Sequence, residues 1–228
     1  MDKFEWFSVI KSSLLKYSSI KYEIEARIGR IYNKETESRM KLLSLVPVVF
    51  SKLPSQHSFV PGVDLWDFKS LKKDLTNSSF KKVDKDTISS SSTKLDKDFT
   101  IIFKEHIEDS FKYLRNGNRI RFINNEYRFC EKKCKIQVLD LYLPDYKYDV
   151  RISIMTEEKQ MQRHTQSPVE FVRHRDRDTF TDKWFNYDFT VVRKNKEVTY
   201  EIEIEVEDLN YKVEEFITTF TKMNILNN

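Results

Sequence analysis

The chain has 228 residues, a third of them charged, with 40 lysines and arginines against 36 aspartates and glutamates and a formal net charge of only +4. That length supports one sizeable core, and all-β barrels commonly occupy it as a single domain, so residues 1–228 are expected to form one domain. The near balance of charge excludes a simple cationic sleeve for nucleic acid; with no apolar run of membrane-spanning length and no secretory pattern at the N-terminus, a soluble intracellular protein without membrane contact is expected.

In chain order, Phe4, Phe7, Val9, Ile10, Leu14 and Leu15 recur at roughly helical spacing, which predicts an amphipathic helix over residues 3–16. Glu23 to Ile31 then alternates acidic and aliphatic residues as a β-strand does, ending near Gly29. Residues 37–53 read as helical through Met40, Leu42, Leu43, Leu45 and Val46, with a strand beginning at Val46 as the alternative. Phe59-Val-Pro-Gly62 reads as a turn, and Asp64 as the N-cap of a helix over residues 65–76. Residues 84–98 hold Ser89 to Ser92 among lysines and aspartates with almost nothing apolar, and read as a flexible loop within the one domain.

From Phe99 the pattern is dense in strands: Phe99 to Lys104, Arg119 to Ile123, Tyr127 to Lys133, Lys135 to Tyr142, Tyr148 to Ile154, Val169 to Phe180, Phe185 to Val192 and Thr199 to Val206. Asn116-Gly117 and Asn124-Asn125 supply hairpin turns, so an antiparallel meander is expected. Val213, Phe216, Ile217 and Phe220 follow at i, i+3, i+4 and i+7, which predicts a C-terminal helix over residues 209–223 laid on that sheet. Cys130 and Cys134 fall in strand, roughly 13 Å apart at four residues, too far for a disulfide, and read as free thiols. The four scattered histidines and the absence of a CxxC pair argue against zinc.

The chemistry lies in how charge is sorted on the strands. Tyr200-Glu-Ile-Glu-Ile-Glu-Val-Glu207 puts Glu201, Glu203, Glu205 and Glu207 on one face and Ile202, Ile204 and Val206 on the other, and Glu23 and Glu25 repeat the rule at the other end of the chain. Arg119 and Arg121, and Arg173, Arg175 and Arg177, form cationic combs of the same period. One such strand is usually a solvated face or a charge-protected edge. Several together point to a polar cavity closed by strands, because inward carboxylates need a metal and inward arginines need an anion. A polyphosphate with a hard divalent ion such as Mg²⁺ or Mn²⁺ satisfies both.

These residues resemble the triphosphate tunnel metalloenzymes, and among them the fungal, protozoan and viral mRNA 5′-triphosphatases. The likeness runs from about Lys21 to Glu207 and rests on Glu23-Ile-Glu25-Ala-Arg-Ile-Gly29, Asp149-Val-Arg-Ile-Ser153 with Glu157, Arg173-His-Arg-Asp-Arg177, Asp188-Phe-Thr190 and Glu201-Ile-Glu-Ile-Glu205, in that order. The resemblance implies a mainly β fold, an eight-stranded antiparallel closed barrel with a polar interior, flanked by a few helices. It implies that Glu23, Glu25 and Glu205 are metal ligands, that Glu203 and Glu157 position the attacking water, and that Glu201 supports the wall through a basic partner. Arg173, Arg175 and Arg177 would bind phosphate with one of Arg119 and Arg121 and one of Lys132, Lys133 and Lys135. Periodicity leaves that register open, and Arg121 and Lys132 are the choices taken. Arg119, Arg151, Asp188 and Thr190 would support them.

Two departures stand out: Arg175 occupies a position where the family generally has lysine, and Asn186 one where it tends to have a basic residue. The resemblance implies γ-phosphate removal from triphosphate-ended RNA as the first step of mRNA capping, in the nucleus, with an mRNA guanylyltransferase as a possible partner. A phosphatase for inorganic triphosphate, polyphosphate or nucleoside triphosphates is the enzymatic alternative. A non-catalytic polyanion or RNA-binding module is the third; it would need no carboxylates in its groove.

Overall fold

The alternation read at both ends of the chain brings its two acidic strands side by side. In the computed structural model, which describes residues 5–17, 22–79, 101–161, 166–208 and 210–223, β1 (Glu23–Asn33) pairs antiparallel with β11 (Glu197–Val206) through Glu25 with Glu205 and Arg27 with Glu203. Between them come β2 (Ser38–Arg39), β3 (Val48–Phe50), β4 (His57–Pro61), β5 (Ile102–Leu114), β6 (Arg119–Ile123), β7 (Glu126–Tyr142), β8 (Asp149–Gln160), β9 (Val169–Thr181) and β10 (Phe185–Lys194). The order around the sheet is β11, β10, β9, β5, β6, β7, β8, β1, and the β1 to β11 pairing closes these eight strands into a barrel. β2 and β4 extend the far end of β1, and β3 pairs with β7.

The barrel is apolar outside and charged within, at least along β1, β8 and β11. Ile24, Ala26 and Ile28, Val150, Ile152 and Ile154, and Ile202 and Ile204 are essentially fully buried. They pack under α1 (Glu5–Leu15) and α3 (Val213–Met223) and against Phe68 of α2 (Leu65–Ser79). Each aliphatic residue sent outward under a helix sends its charged neighbour inward, so core formation and interior charge follow from one alternation. α3 buries Val213, Phe216, Ile217, Phe220 and Met223, as its periodicity predicts. Asn124 and Asn125, both at positive φ (52° and 63°), make the tight turn between β6 and β7.

Several boundaries differ from the sequence reading. Residues 37–53 are not helical: they contribute β2, β3 and irregular chain. Leu43 and Leu45 are fully exposed instead of sharing a buried face, Pro47 interrupts any helix, and Arg39 is fixed on the wholly buried Asp149 at 2.6 Å and on the carbonyls of Tyr146 and Leu143. The expected turn at Phe59 to Gly62 is the strand β4, with only Gly62 (φ 116°) turning the chain. β4 pairs with β1 so closely at Gly29 that a Cβ there would collide with the Val60 carbonyl oxygen. The two strands expected either side of Cys134 are one, β7, with a register shift between Lys135 and Gln137. The strand expected at Phe99 to Lys104 runs on to Leu114 as β5. Asp64 gives its carbonyl to the amide of Phe68 at 3.0 Å, but its carboxylate turns to Arg30 and Lys147, both at 3.0 Å. Both cysteines are free thiols, and the loop expected at 84–98 lies outside the described residues.

Candidate active site

The β1 to β11 seam sets the acidic side of the interior. Arg27, i+2 from Glu25 and the register partner of Glu203, places Nε 2.8 Å from Glu25 and 3.0 Å from Glu203. Burial opposes charge on Glu203, but Arg27, Arg177, Arg175 and Lys133 outweigh it and hold its carboxyl at about 2. Glu205 has the opposite balance: burial and the like charges of Asp188, Glu25 and Glu203 push it up to about 7, against the opposing pull of Lys133 and Arg177. Burial also pushes Glu23 up, to about 8, although Lys133 is bonded to it.

On the β7 and β8 side, Lys133 bridges Glu23 to Glu157, with 2.8 Å to the latter, and Arg119 reaches Glu157 at 3.0 Å. These two cations hold Glu157 below the usual carboxylate range against the effect of burial. Glu157 and Glu203 are therefore both ionised at neutral pH. They can orient a water molecule by accepting its hydrogens.

The cationic side is built by β5, β6 and β9. Asp109, on the stretch of β5 that the sequence reading missed, takes Arg175 in a fork (Nε to Oδ1 2.8 Å, Nη2 to Oδ2 2.6 Å) and Arg121 through Nε at 2.8 Å. Burial alone would raise Asp109; its two guanidinium partners outweigh that and lower it. Two positive groups on one carboxylate leave an unbalanced charge facing the interior, which is what an anion requires. Arg177 is held by Asp188 at 2.5 Å, Thr190 at 3.1 Å and Glu203 at 3.3 Å, and so ties the basic comb to the acidic one. Asp188, itself pushed up by burial, accepts from Thr179 at 2.6 Å.

The expected residues fall into place unevenly. Glu23, Glu25, Glu157, Glu203 and Glu205 meet around Arg27 and Lys133, and Arg121, Arg175 and Arg177 line the facing wall. Arg173 gives its guanidinium to Glu201 (2.8 and 2.9 Å), the basic partner expected for that glutamate. Arg119 is taken by Glu131 and Glu157, and Arg151 by Asp140 at 2.7 Å, beneath the Phe59 ring. Lys132 is misplaced in the sequence reading: it is exposed on the outer face, and the register with β8 turns Lys133 inward opposite Glu157. Asn186 is buried and accepts from Lys104 at 3.3 Å.

Arg27, Asp109 and Glu131 were not singled out from the sequence, and Lys133 was one of three lysines among which Lys132 was chosen. Arg27 had a signal, since it continues the i, i+2 comb of Glu23 and Glu25. Asp109 had none, because β5 around it carries charge on both faces.

The donor set fits a hard divalent cation. Among the described residues no three acidic, histidine or cysteine groups already converge as a chelate, because Glu25 leans on Arg27 and Glu23 on Lys133. Yet Glu23 Oε2 is buried with no hydrogen-bond partner, and burial, with neighbouring carboxylates, pushes Glu23 up to about 8 and Glu205 up to about 7. A divalent ion at the seam would remove both penalties using carboxylate oxygens alone. Among the described residues, no helix is long and apolar enough to cross a membrane.

Comparison with known proteins agrees with this geometry. The family described as mRNA capping enzyme, beta chain, matches residues 3–224. Among solved structures, the Pct1 RNA triphosphatase of S. pombe superposes with a TM-score of 0.77 at 19% identity, covering 98% of this chain and 94% of that one. The same protein in complex with the Spt5 CTD gives a TM-score of 0.78 at 18% identity, over 98% and 95% of the two chains. At that identity the likeness establishes the fold. Among curated proteins, no sequence matches the chain.

Proposed function

The chain belongs to the family of mRNA capping enzyme beta chains, the RNA 5′-triphosphatases with a tunnel fold, and on that premise we propose how its interior removes the terminal phosphate of an RNA 5′ end. The observation that carries the reading is the segregation of charge inside one barrel. Glu23, Glu25 and Glu205 stand on β1 and β11, facing Arg121, Arg175 and Arg177 on β6 and β9. The arginines, with Lys133, hold the γ-phosphate oxygens and stabilise the charge spread over them as the bond breaks. Glu157 and Glu203 orient water toward phosphorus. The water oxygen forms the new bond to the γ-phosphorus while the bond to the β,γ-bridging oxygen breaks, leaving a diphosphate-ended RNA and inorganic phosphate.

Glu23, Glu25 and Glu205 would hold Mg²⁺ or Mn²⁺. When bound, such an ion neutralises phosphate charge that the guanidiniums leave uncovered. Asp188 with Arg177 and Arg119 with Glu131, across neighbouring strands, and Glu201 with Arg173, across the intervening β10, keep the interior side chains in place as ion pairs. The diphosphate end is the chemical substrate for guanylyl transfer, so a guanylyltransferase acting next on the same RNA, in the nucleus, completes the reading.

The test is γ-phosphate release from triphosphate-ended RNA with Mg²⁺ or Mn²⁺, beside ATP and inorganic triphosphate. Release from RNA that leaves a diphosphate end and disappears in Glu205→Ala supports the reading. Faster turnover of inorganic triphosphate than of RNA would make the chain a general tunnel phosphatase. Salt-sensitive RNA binding with no release under either metal would leave only a binding module.

A further inference from the structure

Phe111 is 2% exposed and stands on β5 two residues from Asp109, in register with Arg121 of β6 on one side and Arg173 of β9 on the other. Three guanidinium carbons surround its ring: Arg175 at 4.4 Å from the centroid, Arg119 at 4.6 Å and Arg121 at 5.8 Å. These are distances at which the negative face of an aromatic ring attracts a cation. The arginines need such an attraction, because Arg121 and Arg175 share the single carboxylate of Asp109. Burial and the neighbouring Arg177 lower Arg175 even with Asp109 bonded to it.

A carboxylate at position 111 would hold the same guanidiniums, but it would cancel the charge an incoming phosphate uses. A leucine would fill the space and attract nothing. An aromatic ring attracts and remains neutral. We propose that Phe111 is a positioning residue for phosphate binding, its ring holding Arg121 and Arg175, with the carboxylate-paired Arg119 beside them, in a fixed array while leaving the charge of Arg121 and Arg175 available to the transferred phosphate. This rests on the reading that the β6 and β9 wall takes the terminal phosphate. Phe111 touches neither the water nor the bond that breaks. Its effect is to set where the donors stand before substrate arrives, where small displacements are expensive.

The experiment uses the full chain with mono-, di- and trifluorophenylalanine at position 111, which preserve ring shape while draining the negative face stepwise, beside Phe111→Leu. The dissociation constant of inorganic phosphate and the KM for triphosphate-ended RNA are measured, with the unfolding temperature as a check on folding. The expected result is a graded weakening of both with each fluorine, reaching about tenfold for the trifluoro ring, with unfolding temperature unchanged along the series. A flat fluorine series, whatever Phe111→Leu does, overturns the proposal and reduces Phe111 to packing. The two readings fail separately: a wild-type chain that releases no phosphate overturns the activity, whereas an even phosphate affinity across the series overturns the role of the ring.

Discussion

Asp109 and Arg175 form a two-pronged pair inside the barrel, Nε to Oδ1 at 2.8 Å and Nη2 to Oδ2 at 2.6 Å, and the same carboxylate also receives Arg121. A buried carboxylate is tolerable here because both partners are fixed charges, and it fixes their spacing in return. Asp109→Asn keeps the size of the side chain and loses the fork. We expect kcat/KM for triphosphate-ended RNA to fall about 100-fold, the size of effect that misplaced catalytic donors produce. Activity within a few-fold of wild type would mean that Arg121 and Arg175 hold their positions without it.

Glu25 and Glu205 are register partners across the seam that closes the barrel, and either replaced by alanine is expected to abolish metal-dependent hydrolysis while leaving the protein folded. The fold does not depend on charge at Glu205 or Glu23, since burial pushes Glu205 up to about 7 and Glu23 up to about 8 from the ordinary carboxylate value of 4.5. Because these folded-state values lie above the unfolded one, the stability each group contributes is fully present below pH 4.5 and is lost as pH rises through about 7 and about 8. Glu203, held at about 2, acts in the opposite sense but only below 4.5, outside that window. The metal-free protein should therefore unfold at lower temperature at pH 8 than at pH 5.5. Mg²⁺ or Mn²⁺ should raise the unfolding temperature more at pH 8, where fewer protons need be displaced from Glu205 and Glu23 than at pH 5.5. Glu205→Gln should shrink both effects. A metal response that ignores pH, or that survives in Glu205→Gln, would remove Glu205 from the ligand set.

Lys132 and Lys133 offer a test of register that replaces none of the proposed metal ligands. Lys133 bridges Glu23 and Glu157 inside the barrel, and Lys132 is exposed outside it. Lys133→Met should reduce kcat/KM by about 100-fold, as loss of a charged interior donor does. Lys132→Met should stay within about twofold, as surface substitutions generally do. Equal losses in the two variants would mean that the pairing of β7 with β8 is shifted.

These two lysines also show what could be read from the chain. The alternation at Glu23 to Gly29 and Tyr200 to Glu207 is enough to place both acidic strands and to turn their glutamates to one face, because a period of two is unambiguous where aliphatic residues occupy the other face. It cannot say which of two adjacent lysines in Glu131-Lys-Lys-Cys134 points inward, since neither face of that stretch is apolar. The same lack of contrast hid β5, whose Glu105, Glu108, Asp109 and Lys112 put charge on both faces, and with it Asp109 and Phe111. At residues 37–53 the apolar spacing imitates a helix, and the competing structure is set by Arg39, which folds back onto Asp149 a hundred residues away. Interactions so distant in sequence leave no local pattern to read.

Asn186 stands where a basic residue was expected, and Lys104 from β5 supplies a cation to the same place. Lys104 Nζ lies 3.3 Å from Asn186 Oδ1 and 3.2 Å from Glu207, while Asn186 Nδ2 donates to Glu207 at 2.5 Å. Asn186 is the register partner of Glu205, so this network borders the proposed metal end of the interior. Lys104 is partly exposed, and its pairing is worth little by itself in water. We therefore expect Lys104→Met to lower kcat/KM for triphosphate-ended RNA only a few-fold, about 3-fold at low salt and less at high salt. Asn186→Arg should be neutral or mildly activating, because it adds a cation beside Glu205 and Glu207 without removing a ligand. Combined with Lys104→Met it should restore the wild-type value by returning the charge from the neighbouring strand. A large loss in Asn186→Arg alone would mean that this position packs against the metal ligands too closely for any longer side chain. Failure of the double variant to recover would mean that Lys104 acts through its shape and not through its charge.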